Sequence, residues 1–168
     1  DLSDPDAPGM TSDEESRRDI RMAQIYRGYE GDTDEAFFMV ARAVEIYCDD
    51  VIAKDPQLNR IFDAMKAIET RELRKNWQMV AQLDEYALDI DEAPDDWKQL
   101  NAEAERRMDY LTIGTFRQFG EDALADLYMN DRDEYDRRME AGSRIVFGPL
   151  PPDVQSKLDA AKTERKNS

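Results

Sequence analysis

The sequence predicts an all-α protein, an irregular bundle of six or seven helices with a disordered acidic N-terminal segment and a C-terminal helix after a Pro-rich strap. Apolar residues recur at spacings of three and four along most of the chain, and apolar alternation with period two is nearly absent. Capping patterns, prolines and glycines separate the apolar stretches. The 168 residues suffice for one domain with its own core. We expect a flexible acidic segment at 1–11, a helical domain at 12–142, an extended Pro/Gly strap at 143–152, and a C-terminal helix with a basic tail at 153–168.

The first helix is predicted to begin near Ser12. Ser12 and Glu15 have the spacing of a capping box, in which each side chain accepts a hydrogen bond from the other residue's backbone. The residues before it are acidic or are proline and glycine, with almost nothing to bury. Gly28 and Gly31 are expected to break this helix.

The second helix is predicted over 34–53, with Asp32 or Thr33 as its cap. Its apolar positions extend almost around the whole helix, which is typical of a helix at the centre of a bundle. Asp55 and Pro56 then resemble a cap followed by proline at the first helical position. The third helix should therefore start there and pack against the second.

Further helices are predicted over 73–87 and from the Pro94 region onward. The second of these begins with Asp95 and Asp96, whose carboxylates suit the positive end of a helix dipole. Gly114 and Gly120 are expected to interrupt the apolar pattern, giving one bent helix or two short ones.

The last third of the chain predicts two more helices. Asp131 and Glu134 form a capping pair, and Gly142 is the expected stop of the helix that they open. Prolines and glycine dominate 148–152, so an extended strap is favoured over a strand for 143–152. The final helix has few apolar residues and needs a docking surface in order to persist.

Composition excludes much of ordinary enzymology. The chain has no histidine, which is the side chain that titrates near neutral pH and the commonest metal ligand. Its 39 acidic and 23 basic residues give a formal charge of -16, which disfavours binding to nucleic-acid backbones or anionic membranes. We therefore expect no enzyme activity, no cofactor, no direct nucleic-acid contact and no membrane contact.

Carboxylates offer the two candidate sites. The predicted partner-binding residues form an acidic run without an intervening base: Asp84, Glu85, Asp89, Asp91, Glu92, Asp95 and Asp96. Asp49, Asp50 and Asp55 are the best cluster for a hard cation such as Mg²⁺ or Ca²⁺, although a solvated acidic surface is the simpler interpretation. The glycines of this sequence do not occupy the positions that a calcium-binding loop or a phosphate-binding loop requires.

Three less common residues are predicted to serve packing. Cys48 lies on the apolar side of the most apolar helix, which predicts a buried, unreactive thiol. Trp77 and Trp97 both occupy apolar positions, so core packing is favoured over a role as surface anchors.

These observations favour a noncatalytic protein–protein interaction subunit, adaptor or assembly factor that presents an acidic helical surface. The partner should be a protein of basic or mixed charge, and a homo-oligomer is possible. A nucleic-acid mimic that inhibits a DNA- or RNA-binding protein is one alternative. A carboxylate- and Mg²⁺-dependent enzyme acting on a phosphorylated substrate is another. The single cysteine and the lack of a long apolar run favour a cytoplasmic location.

Overall fold

A computed structural model describes residues 9–75 and 93–167, with the side chains of 164–167 excepted. The described chain is all-α and contains no strand within these ranges, which confirms the predicted fold class. None of the described helices is long and apolar enough to cross a membrane. The seven described helices are α1 (Ser12–Glu30), α2 (Asp34–Ala53), α3 (Pro56–Lys75), α4 (Asp95–Gln118), α5 (Asp122–Asn130), α6 (Arg132–Phe147) and α7 (Pro152–Asn167).

Side-chain caps start four of these helices. Thr11 Oγ1 accepts from the Glu14 amide and Glu14 Oε2 accepts from the Thr11 amide, so the capping box lies one residue before the predicted Ser12–Glu15 pair. The predicted alternative Thr33 caps α2 by accepting from the Ala36 amide. Asp55 caps α3 and Asp131 caps α6, both as predicted from the sequence.

The chain forms two compact units, and each is considered by itself. Unit 1 comprises Asp1–Ala43 with Asp131–Ser168, and unit 2 comprises Val44–Asn130, so α2 contributes residues to both. Apart from the strap, which is shorter than predicted, the domain boundaries predicted from composition stay a prediction. The predicted helix over 73–87 lies outside the described residues, apart from the part that belongs to α3.

Unit 1 packs the first half of α6 against the start of α2. The rings of Phe37 and Tyr135 meet edge to face, with 5.6 Å between centroids, and both residues are buried. Arg138 lies over the Phe37 ring and donates to Asp34 Oδ1 at 2.9 Å. These contacts fix the register of α6 on α2.

Gly142 explains why α6 does not stop where the sequence predicts. A Cβ at this position would collide with the Asp34 carbonyl oxygen and the Phe38 Cβ, so the glycine permits close helix packing and does not end the helix. The helix continues to Phe147 and ends at Gly148, whose φ is 79°. The predicted strap over 143–152 is therefore wrong for 143–147 and for Pro152, and the segment between α6 and α7 is 148–151.

Two other glycines were also predicted to break helices and do not. α1 continues through Gly28 and ends before Gly31, which has a φ of 87°. α4 continues through Gly114, and only Gly120 marks an end. A helix-interior glycine costs about 1 kcal/mol relative to alanine, which neighbouring turns and packing can offset.

Unit 2 has its core between α3 and α4. The buried members are Leu58, Ile61, Met65, Ala93, Trp97 and Ala104, with partly buried side chains around them. Trp97 is buried, which confirms its predicted core role, and its indole nitrogen donates to Glu69 Oε1 at 3.1 Å; Trp77 lies outside the described residues. Cys48 is also buried as predicted, with its sulfur 3.6 Å from the hydroxyl oxygens of Thr112 and Thr115.

Candidate partner-binding surface

The end of α6 exposes bulky apolar side chains to solvent. Ile145 is 59% exposed, Val146 is 40% exposed and Phe147 is 75% exposed. The Phe147 and Phe38 rings meet edge to face, with 5.8 Å between centroids, while most of the Phe147 side chain stays exposed. These residues lie within the segment 143–152 that the sequence assigns to an extended strap, but α6 continues through Gly142 and includes them.

The connection and α7 add three more exposed apolar side chains: Leu150, Val154 and Leu158. Val154 and Leu158 lie one turn apart and share a face of α7. None of the side chains from 152 to 163 is buried. A helix normally gains most of its stability by burying an apolar face, and α7 leaves this face open.

These elements enclose a groove of about 510 Å³, here called the α6–α7 groove. It is lined by Glu140, Ser143, Arg144, Phe147, Gly148, Leu150, Leu158 and Lys162. The phenyl and leucine side chains give it an apolar interior, and charged groups lie along its edge. An apolar depression with a polar rim is the usual anatomy of a protein-binding site.

The rim charges are linked through one carboxylate oxygen. Arg144 Nη2 donates to Glu140 Oε1 at 2.8 Å, and Lys162 Nζ donates to the same oxygen at 3.1 Å. All three side chains are close to half exposed. The Lys162 contact joins α7 to α6 across the groove.

The acidic run predicted to bind a partner falls mostly outside the described residues. Asp95 and Asp96 are described, and both lie in the first turn of α4 as predicted. Arg71 donates to both carboxylate oxygens of Asp96, and this hydrogen bonding lowers the pKa of Asp96 below its usual range. Asp96 is thus held by a cation of its own chain.

The three candidate metal ligands differ in their surroundings. Asp49 and Asp50 are exposed near the end of α2, whereas Asp55 is buried. Arg107 donates to both Asp55 oxygens, at 2.8 and 3.0 Å, and the Leu58 amide donates to Oδ2. Within the described ranges, no group of three or more histidine, cysteine or acidic residues is placed to hold a metal ion.

The Asp55–Arg107 pair organises unit 2. Hydrogen bonding from Arg107 lowers the pKa of Asp55, in opposition to burial, which raises it. The same carboxylate caps α3, so one side chain fixes both the start of α3 and its contact with α4. This geometry gives Asp55 a structural role.

A second groove, of about 540 Å³, lies in unit 2 along α4 and α5. Its lining includes Tyr110 and Met129, which are 68% and 51% exposed, together with Gly114. Arg107 lies over the Tyr110 ring at 5.2 Å from the centroid. This groove gives less indication of what it could bind than the α6–α7 groove does, because its lining contains one charged residue, Arg117.

Comparisons with protein-family models, with curated proteins and with solved structures gave no match to this chain. The candidate site is therefore assigned from its geometry alone. Sequence reasoning missed the α6–α7 groove because it placed 145–147 in an extended strap. The available signal was the apolar content of 145–158 beside a final helix with too few apolar residues to fold by itself.

Proposed function

We propose that this protein is a noncatalytic interaction subunit, adaptor or assembly factor, and that the α6–α7 groove is a site of partner contact. The observation that carries the proposal is the group of six exposed apolar side chains between residues 145 and 158, three of which line one groove. Exposed apolar side chains that lie together at a depression with a polar rim are typical of interaction sites.

The charge pattern supports an adaptor over a nucleic-acid mimic. A mimic needs carboxylates arrayed on one continuous face, free to imitate phosphates. Several described carboxylates are instead paired with arginines of the same chain, among them Asp96 with Arg71 and Asp34 with Arg138. The groove rim carries both signs of charge, as is usual around a protein contact.

The acidic run from Asp84 to Asp96 remains the proposed contact for a basic or mixed-charge protein, as a second region of the same function. A cytoplasmic location of the protein is also a proposal. The enzyme alternative, in which carboxylates hold Mg²⁺, receives no support from Asp55, because Arg107 engages both of its oxygens.

Site-specific photocrosslinking tests the groove as a partner contact. A benzophenone amino acid replaces Leu158 in one variant and Ile46 of α2 in a matched control, since both side chains are exposed and apolar. In extract from the native host, we expect a discrete crosslinked product at position 158 that is absent at position 46. An excess of unlabelled wild-type chain should compete for this product.

The specificity control is a competitor with Val154→Ser and Leu158→Ser, which removes the apolar face of α7. This competitor should fail where the wild-type chain succeeds. Equal crosslinking at positions 46 and 158, or equal competition by both chains, would contradict the proposal.

A further inference from the structure

The α6–α7 groove has a charge preference as well as an apolar interior, and this preference defines the partner. Resting on the proposed function, we infer that the groove binds a peptide segment of another protein that carries large apolar side chains next to carboxylates. The inference follows from the lining of the groove, the balance of its rim charges and the charge distribution of the whole chain.

The interior of the groove selects for apolar side chains. Phe147, Leu150 and Leu158 offer no hydrogen-bonding group to a ligand, so a polar group placed against them would lose its contacts with water without replacement. A volume of about 510 Å³ is in the range of pockets that hold small molecules, and it suits one or two large side chains of a peptide.

The rim has more cations than anions. Arg144 and Lys162 share a single oxygen of Glu140, and within the described part of the chain Glu140 is the one carboxylate that either cation contacts. A guanidinium has five N–H donors and an ammonium has three, and among the described side chains each cation donates one of them, to Glu140. A carboxylate of a bound peptide would thus find donors already positioned beside the apolar interior.

The charge distribution along the chain points the same way. Residues 143–168 contain five of the 23 basic residues but only three of the 39 acidic residues. This end of the chain is basic, whereas the molecule has a formal charge of -16. Two copies of this chain would each bring a charge of -16 into the complex, whereas a segment with a few carboxylates is repelled far less, so the occupant is a segment of a different protein.

Three synthetic helical peptides test the preference directly. All have the same leucine and phenylalanine positions, and their remaining positions are glutamate, glutamine or lysine. Fluorescence anisotropy with the full chain should show the glutamate peptide binding about five- to tenfold more tightly than the glutamine peptide, as two exposed charge contacts provide. The lysine peptide should bind most weakly, although the net charge of the protein alone predicts the reverse order.

Variants of the rim separate local charge from net charge. The double variant Arg144→Gln and Lys162→Gln should abolish the preference for glutamate over glutamine, while Lys157→Gln, on α7 but outside the groove lining, should preserve it. Glu140→Gln should strengthen binding of the glutamate peptide, because it removes the carboxylate that competes for both cations. A merely structural role of these residues would not give changes of opposite sign.

Three results would overturn the inference. The first is binding of the lysine peptide as tightly as the glutamate peptide, and the second is a preference that survives the double variant. The third is binding to phosphatidylserine-containing vesicles in place of any peptide. If the crosslink at position 158 and its competition persist while the peptide preference fails, the groove remains a partner contact and only the acidic-apolar assignment is wrong.

Discussion

Two parts of one helix, α6, have opposite environments. The part from Tyr135 to Gly142 is packed against α2 through a buried ring pair, an arginine and a close backbone approach. Its last turn, with Phe147 at the end, exposes its apolar side chains beside the equally exposed α7. Apolar content alone therefore does not identify a core. The apolar side chains of α6 are buried near its start and exposed in its last turn.

Gly142→Ala should cause the largest loss of stability, because it disturbs the packing of α6 against α2. The added Cβ would collide with the Asp34 carbonyl and the Phe38 Cβ, and backbone cannot yield as a flexible side chain does. We expect the free energy of unfolding to fall by about 3 kcal/mol, measured by denaturant titration with circular dichroism.

Gly114→Ala is the matched control for this change. Its Cβ would meet no atom within 4 Å, so replacing a helix-interior glycine should stabilise the protein by about 0.5–1 kcal/mol. Equal effects at both positions would contradict the account of Gly142.

The next test contrasts a buried ion pair with the exposed pairs of the groove. Asp55→Asn keeps an acceptor for the Leu58 amide but removes the charge that Arg107 binds, so the melting temperature at pH 7 should fall. The pKa of Asp55 is lowered in the folded state, so its contribution is present above the unfolded-state pKa, about 4, and is lost as the pH falls through the folded-state pKa. The difference in melting temperature between wild type and variant should therefore become smaller below about pH 4.

Glu140→Gln is the control for this pH dependence. Glu140 is exposed beside Arg144 and Lys162, and exposed pairs contribute little to stability. Its melting temperature should match that of wild type from pH 3 to pH 7. A variant Asp55→Asn that melts like wild type at neutral pH would show that the Arg107 contact does not stabilise unit 2.

A smaller effect separates two neighbouring arginines. Arg138 is 16% exposed and binds Asp34 and Asp32 over the Phe37 ring, whereas Arg137 is 58% exposed, binds Glu134 on its own helix and lies 3.9 Å from an Asp34 oxygen. Arg138→Met should cost about 1–2 kcal/mol through lost charged hydrogen bonds, measured by thermal unfolding. Arg137→Met should leave the melting temperature unchanged, and a reversed order would contradict the packing of α6 on α2.

The sequence predicts most helix starts, whereas its glycines are unreliable markers of helix ends. Caps at Thr33, Asp55 and Asp131 depend on local spacing, so they can be read from the chain alone. Glycines are ambiguous, since Gly31 ends a helix through its positive φ while Gly142 serves a contact with a residue more than a hundred positions away. Local patterns contain no information about such a contact.

The groove depends on tertiary structure for the same reason. Glu140, Arg144 and Lys162 are ordinary charged residues in the sequence, and only the return of α7 beside α6 places two cations on one carboxylate. The acidic run from Asp84 to Asp96 was the more visible feature of the sequence. Arg71 holds Asp96 within the protein, while the binding role of the run stays a prediction.

The smallest change in stability should accompany the largest change in binding. Val154→Ser with Leu158→Ser alters side chains that are 43% and 38% exposed, so the free energy of unfolding should change by no more than about 1 kcal/mol per substitution. The most direct test is crosslinking at position 158 in the presence of this double variant as competitor. We predict that the variant, folded like wild type, leaves the crosslinked product undiminished; competition equal to that of the wild-type chain would show that the apolar face of α7 is not a partner contact.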